Sequence, residues 1–163
     1  MKKRMGAVLL FAMLLTLCAC KTADTPSPVT PKPEKTEHRV LALCCDIGSV
    51  NDAGVNESCY AVVENVTKQN KLSLVYYTLD EENENGAEEN IRQAMTDGAT
   101  LIICLGDRYA PAIPSLAEKY PSESFMSLVT EEYDADAENV TVLVTDAENA
   151  PSALGARLAE IFD

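Results

Sequence analysis

The sequence predicts an α/β fold, a doubly wound and mostly parallel open sheet formed by residues 40–163. Three observations predict it. Continuous apolar runs, such as residues 40–45 and 100–105, are typical of strands buried on both faces of a sheet. Segments with apolar residues at helical spacing alternate with these runs. The resulting order β-α-β-α-β-α-β-β-α requires crossover connections, and right-handed crossovers place helices on both faces.

The elements can be assigned in order along the chain. Strands are predicted at residues 40–45, 72–79, 100–105, 125–130 and 140–145. Helices are predicted at residues 55–69, 87–95, 109–120 and 150–162, where apolar residues recur every three or four positions. Gly98 is expected to end the second helix, and Pro111 is expected in the first turn of the third.

The first 39 residues differ from this folded part. Residues 1–19 join a basic start to a short apolar run, which predicts a signal peptide rather than a membrane helix. The motif Leu17-Cys18-Ala19-Cys20 resembles a bacterial lipobox, so Cys20 is the predicted lipidation site. An ordinary secretory signal is the alternative. Residues 20–39 contain four prolines and are predicted to form an extended tether at the outer face of the cell membrane.

Charge is distributed unevenly. Residues 1–39 carry seven basic and three acidic side chains, whereas residues 40–163 carry six basic and 23 acidic ones. Nucleic-acid binding requires clustered Lys and Arg to neutralise phosphates, so the acidic body excludes that function class.

Polar side chains gather where the predicted strands end. Ligands of open α/β sheets bind outside the carboxyl ends of the strands, here residues 46–52, 80–85, 106–109, 130–132 and 146–149. Several residues at or near these strand ends are carboxylates or amides: Asp46, Asn51, Asp52, Asn56, Asp107, Asp146 and Glu148. Carboxylates repel anions and accept hydrogen bonds from hydroxyl and amine donors, which favours a neutral polyhydroxyl ligand such as a sugar or nucleoside. The alternative is that they only cap helices.

The sequence lacks the motifs of several kinds of catalytic and cofactor-binding site. The sequence contains neither a glycine-rich dinucleotide motif nor a P-loop. The single histidine, His38, lies in the tether, which excludes serine–histidine and cysteine–histidine catalysis within the folded part unless a partner chain supplies the histidine. No metal or cofactor is predicted: the sequence contains no calcium-binding loop motif, and a metal site formed by carboxylates is the alternative. Glycoside hydrolysis by paired carboxylates remains an alternative.

Four cysteines fall within the folded part: Cys44, Cys45, Cys59 and Cys104. Their spacing matches no redox or zinc motif, so they are predicted to be small buried core residues. If the first and third strands are neighbours, a disulfide from Cys104 to Cys44 or Cys45 is the alternative.

The first predicted strand and loop, VLALCCDIGSVNDAGVNESCY at residues 40–60, resemble the opening of the basic membrane protein family. These are lipoprotein substrate-binding proteins of ABC transporters, similar to the purine-nucleoside-binding lipoproteins. The family pattern is a strand, Asp, a glycine-rich turn, Asn-Asp, then Phe-Asn-Gln and an aromatic residue. The corresponding positions here are Asp46, Gly48, Asn51, Asp52, Asn56, Glu57 and Tyr60. Weaker similarity continues to about residue 160.

The resemblance implies a single lobe of the type I periplasmic-binding-protein fold, which binds a small polar solute without enzymatic activity. The expected partners are a nucleoside-like solute and an ABC permease. The implied ligand-binding residues are Asp46, Gly48, Asn51, Asp52, Asn56 and Asp107, with Tyr109 stacking on the ligand.

This chain departs from the family pattern at several positions. Val55 replaces a stacking Phe, Asp107 an aromatic residue, and Pro111 and Thr130 replace aspartates. The family's second lobe also has no counterpart in these residues. Two alternatives are therefore a signalling or scaffold lipoprotein and a truncated, non-binding remnant.

Overall fold

The computed structural model describes residues 40–51, 53–81, 83 and 85–162. Four predicted features therefore lie outside the described residues: the signal peptide at residues 1–19, lipidation of Cys20, the tether at residues 20–39, and the ligand contact of Asp52.

The fold is a five-stranded, fully parallel sheet with helices on both faces, which confirms the predicted doubly wound α/β class. The strands are β1 (Val40–Cys45), β2 (Ser73–Thr78), β3 (Leu101–Leu105), β4 (Ser124–Val129) and β5 (Val140–Val144). The helices are α1 (Val55–Asn70), α2 (Gly86–Thr96), α3 (Ile113–Lys119) and α4 (Ala150–Phe162). The strand order is β2-β1-β3-β4-β5.

Alternate side chains of β1 enter two separate cores, because successive residues of a strand point to opposite faces. Leu41 and Leu43 pack with α1 and α4 on one face, where Leu154 and Leu158 are fully buried. Ala42 and Cys44 pack with α2 and α3 on the other. Full burial of one leucine side chain contributes about 1.5–3 kcal/mol, so these two apolar layers hold the helices against the sheet.

The third predicted helix differs from the observed structure. Residues 109–120 are not one helix: a 3₁₀ turn at Asp107–Tyr109 is followed by turn residues and then α3. A helix that began at Tyr109 would place Pro114 beyond its first turn. An intrahelical hydrogen bond there requires a backbone N–H, which proline lacks. The helix begins instead at Ile113, so Pro114 falls in the first turn and Pro111 precedes the helix.

The four cysteines in the described part of the chain are buried, as predicted, and none of them forms a disulfide in this structure. The strands β1 and β3 are neighbours, and Cys44 lies directly opposite Cys104. Burial raises the pKa of Cys59 to about 11 and raises that of Cys104. Cys59 and Cys104 therefore behave as protonated core residues, and the disulfide alternative is not realised in this structure.

The sheet order creates a crevice at the carboxyl ends of β1 and β3. From β1 the chain leads through α1 to β2 on one side, while β3 lies on the other side of β1. The connecting helices α1 and α2 pack on opposite faces. Reversal of this kind marks the point where ligands bind in doubly wound sheets.

Candidate functional site

A cavity of about 190 Å³ opens at this edge of the sheet, beyond the ends of β1, β3, β4 and β5. Its apolar lining comprises Val55, Leu105, Leu128, Val129, Ala147 and Ala150. Its polar lining comprises Asp46, Asp107, Thr130, Thr145 and Asp146. Of the predicted site residues, the cavity therefore brings together Asp46 and Asp107.

Asp46 directly follows β1 and occupies the crevice itself. Its Oδ1 accepts a hydrogen bond of 2.7 Å from the backbone N–H of Ile47, and the Nε of Arg108 lies 3.8 Å away. Gly106, the residue after β3, lies against the same carboxylate: a Cβ atom placed there would be 2.5 Å from Asp46 Oδ2. Glycine at position 106 therefore lets the carboxylate of Asp46 lie over the end of β3.

Asp107 lies next to this crevice and is bonded to the neighbouring strand. Its Oδ1 accepts a hydrogen bond from the backbone N–H of Thr130 at 2.8 Å, and its Oδ2 accepts one from Thr130 Oγ1 at 2.6 Å. These hydrogen bonds stabilise the charged form, the hydroxyl contributing more than the amide, and lower the pKa of Asp107. The pair joins the ends of β3 and β4 along the wall of the cavity.

Asp146 completes the acidic rim; the sequence places it among the strand-end carboxylates, although the family resemblance does not imply it as a ligand residue. Its Oδ1 accepts hydrogen bonds from the backbone N–H and side-chain Nδ2 of Asn149, at 2.8 and 2.9 Å. The carbonyl of Asp146 also accepts the N–H of Ala150, the first residue of α4. The sequence signal for Asp146 is its place directly after the predicted strand at residues 140–145.

Asn56 is buried behind Asp46, in the first turn of α1. Its Nδ2 donates to the carbonyl oxygens of Asp46 and Ile47, at 3.1 and 3.4 Å, while its Oδ1 has no partner among the described residues. Asn56 thus fixes the loop backbone, and it does not line the cavity. Gly48 and Asn51 are exposed in the same loop and also lie outside the cavity lining.

The prediction that the ring of Tyr109 stacks on a ligand is wrong. The side chain is fully buried against α2 and α3. Its hydroxyl donates to the carbonyl of Cys45 at 2.9 Å and accepts a hydrogen bond from Asn90 Nδ2 at 3.2 Å. Burial raises its pKa. The 3₁₀ turn after Gly106 directs this residue into the core, where it supports the end of β1.

The described residues form no cluster of metal ligands. Within residues 40–162, apart from the three that the structure does not describe, no three His, Cys, Asp or Glu side chains are grouped closely enough to hold a metal ion. No helix in the described part of the chain has both the length and the apolar character that a membrane span requires.

The cavity offers hydrogen-bond acceptors above an apolar floor, which suits reversible binding of a small donor-bearing molecule.

Solved structures support the fold. A fragment of a predicted lipoprotein from Peptoclostridium difficile 630 is 24% identical over 77% of this chain and 99% of that one, with a TM-score of 0.62. A solute-binding protein of an ABC transporter system from Conexibacter woesei is 21% identical, with a TM-score of 0.51. A second from Aeropyrum pernix is 19% identical, also with a TM-score of 0.51. Both alignments cover 63% of this chain but only 34% and 27% of the solute-binding chains, so this chain spans about a third of their length.

Sequence comparison identifies the family. No curated protein sequence matches this chain. The family model described as ABC transporter substrate-binding protein PnrA-like, or Bmp, matches residues 40–149, from the first residue of β1 to the residue before α4. Because this match covers more than half of the 163 residues, the chain belongs to the Bmp family of PnrA-like ABC transporter substrate-binding proteins.

Proposed function

We propose that this protein is a lipid-anchored, extracytoplasmic binding lobe that captures a small polar solute for an ABC importer. Residues 1–19 would direct export, Cys20 would carry the lipid, residues 20–39 would form the tether, and residues 40–163 would bind the solute. Nucleosides are the first ligand class to test, since the sequence resembles nucleoside-binding lipoproteins. The partners would be the membrane, through the lipid, and an ABC permease.

One observation carries the proposal: the cavity lies at the topological switch point of the sheet, with the Asp46 carboxylate in its lining. Ligands of doubly wound folds bind at this position. Asp46 would accept a hydrogen bond from a ligand hydroxyl or amine, and Asp107 would shape the adjoining wall through Thr130. Gly48, Asn51, Asp52 and Asn56 would surround or support this contact from the β1–α1 loop. No covalent bond would be made or broken.

Isothermal titration of the purified protein with a panel of nucleosides and monosaccharides tests this proposal. We expect saturable binding that weakens by about tenfold in Asp46→Asn, since a hydrogen bond to a charged group contributes about 1.5–3 kcal/mol. The matched control is Asp134→Asn, because Asp134 is an exposed carboxylate outside the cavity lining. Absence of binding at about 10 mM of every solute would contradict the proposal. A solute with a micromolar Kd, which corresponds to a binding free energy of about −8 kcal/mol, would saturate the protein far below that concentration.

The lipid anchor has its own test. Cells expressing the protein are labelled with radioactive palmitate, and the protein is then isolated from the membrane fraction. We expect label in the wild type and none in Cys20→Ser, with Cys18→Ser as the matched control. Label that persists without Cys20, or a wild-type protein that carries none, would remove the anchor from the proposal.

A second candidate function is a non-transport lipoprotein whose open cavity docks another protein. The size of the cavity favours it, because about 190 Å³ lies below the roughly 300–1,000 Å³ of most small-molecule pockets. Retention of a partner protein by the wild type but not by Asp46→Arg, together with absence of solute binding, would support this candidate over the first.

A further inference from the structure

The three carboxylates in the cavity lining differ in what they already bind. Both oxygens of Asp107 accept hydrogen bonds from Thr130. Both oxygens of Asp146 accept hydrogen bonds from Asn149. Asp46 uses Oδ1 for the N–H of Ile47, whereas its Oδ2 accepts no hydrogen bond from any residue that the structure describes. A ligand donor would therefore meet its most available acceptor at Asp46 Oδ2.

The charge around this acceptor is negative. The cavity lining contains three carboxylates and no basic side chain. Arg108 is the nearest cation to Asp46, but its side chain is 57% exposed and its Nε lies 3.8 Å from Oδ1, which is too long for a hydrogen bond. An acidic rim above a low-dielectric wall concentrates cations and repels anions.

Two helix N-termini contribute positive partial charge, since Val55 begins α1 and Ala150 begins α4. Each helix end is equivalent to roughly half an elementary charge. Asp146 accepts hydrogen bonds at the start of α4, and Glu57 lies in the first turn of α1, so both ends already have a carboxylate beside them. The site therefore remains acidic.

Below the rim, the cavity is apolar. Leu105, Leu128 and Val129 end the central strands, and Ala150 closes the side formed by α4. An apolar cavity of about 150 Å³ is large enough to hold benzene, so about 190 Å³ accommodates a single ring or a short branched chain. This floor would bury the body of a ligand while its polar head stays at the rim.

We propose that the ligand of this cavity is a protonated amine on a compact apolar body, with its ammonium group donating to Asp46 Oδ2. This proposal rests on the proposed solute-binding function, and within that function it favours an amine over the nucleosides that the family resemblance suggests. The ammonium supplies up to three donors and a positive charge that an acidic rim attracts. The apolar floor holds the ring or chain, and the acidic rim excludes a carboxylate head.

The test is a titration of the full-length ¹⁵N-labelled protein with three probes that share one body, namely benzylamine, benzyl alcohol and benzoate. Chemical shifts of cavity residues report binding. We expect benzylamine to bind at least about fivefold more tightly than benzyl alcohol, the ratio expected from about 1 kcal/mol for a partly exposed ion pair. Benzoate should produce no saturable shift, and higher salt should reduce the amine preference because it screens the charges.

Two variants connect the preference to Asp46. In Asp46→Asn the ratio of amine to alcohol affinity should fall to about one, whereas Asp134→Asn should retain the wild-type ratio. The spectrum of each variant shows whether it is folded. If Asp46→Asn does not fold, the head-group ratio and its salt dependence in the wild type still decide the question.

The outcomes separate this proposal from the proposed function. Equal affinity for the amine and the alcohol, or tighter binding of benzoate, would overturn the amine proposal while solute binding stands. An amine preference that survives in Asp46→Asn would overturn the role of Asp46. Shifts with none of the three probes would overturn the amine proposal, and if nucleosides and monosaccharides also fail to bind, the solute-binding function falls with it.

Discussion

The substitution Gly106→Ala should disturb the site more than the addition of one methyl group at any other position in the surrounding loops. Gly106 has φ of +98° and ψ of 155°, a backbone region that residues with a side chain rarely adopt. Its added Cβ would also lie 2.5 Å from Asp46 Oδ2, 3.0 Å from Cγ and 3.1 Å from Cβ. The substitution therefore combines backbone strain with displacement of the carboxylate.

The magnitude follows from these two effects. Backbone strain costs about 1–3 kcal/mol. Moving Asp46 off its rotamer costs about 0.5–1.5 kcal/mol, and loss of its hydrogen bond from Ile47 costs about 0.5–1.5 kcal/mol more. We expect the free energy of unfolding to fall by roughly 2–6 kcal/mol, measured by urea denaturation followed by circular dichroism, with weaker ligand binding in the folded fraction.

Gly98→Ala is the matched control, because Gly98 also has positive φ, +88°, yet the nearest atom to its added Cβ is Val40 Cγ2 at 4.0 Å. It should show backbone strain without the clash and leave binding unchanged. The double variant Asp46→Ala/Gly106→Ala should be less destabilised than the sum of its single variants, since it removes the two closest atoms. Equal destabilisation by Gly98→Ala and Gly106→Ala, with binding intact in both, would refute the close packing of Asp46 on Gly106.

Three further predictions concern the supports of the site. Thr130→Val removes the hydroxyl that contributes most to lowering the Asp107 pKa, so that pKa should rise, whereas Thr130→Ser should keep it low; carboxyl NMR titration measures both. Because the pKa of Asp107 is lowered on folding, its contribution to stability is present above its unfolded pKa and is lost as the pH falls through the folded value. This acid-dependent loss should shrink in Thr130→Val, and an unchanged profile would count against the hydrogen bond. Tyr109→Phe should lower the free energy of unfolding by about 0.5–1.5 kcal/mol without altering ligand affinity, because it removes the buried hydrogen bond from the Tyr109 hydroxyl to the Cys45 carbonyl; a loss of affinity in a folded Phe variant would return Tyr109 to the binding surface. Asn56→Ala should cost a similar amount in urea denaturation and also weaken binding, since it frees the loop that holds the binding carboxylate; unchanged stability would show that the loop does not need this tie.

The strands and most helices could be predicted because their apolar patterns are local. All five apolar runs became strands, and α1, α2 and α4 formed where the helical spacing indicated. The sheet order could not be read from the alternation of elements, since several orders satisfy right-handed crossovers. The third predicted helix is broken because a helix that begins at Tyr109 accommodates Pro111 in its first turn but not Pro114.

The candidate site could be predicted only as a set of strand ends. That principle led to Asp46 and Asp107, which both line the cavity, and their contact with a ligand stays a prediction. It could not show that Asp107 pairs with Thr130, because this contact requires β3 and β4 to be neighbours. It also misjudged Tyr109, since a tyrosine near a strand end can direct its hydroxyl either to solvent or to a buried carbonyl, and the sequence pattern is the same.

The central claim is that the cavity beyond the ends of β1, β3, β4 and β5 holds the solute through Asp46. The most direct measurement is a crystal structure of the protein soaked with the tightest-binding member of the nucleoside, monosaccharide and amine panel. The account predicts ligand density in this cavity, with a donor atom within about 3.2 Å of Asp46 Oδ2. Ligand density elsewhere on the protein, with the cavity empty and Asp46 without a ligand contact, would contradict it.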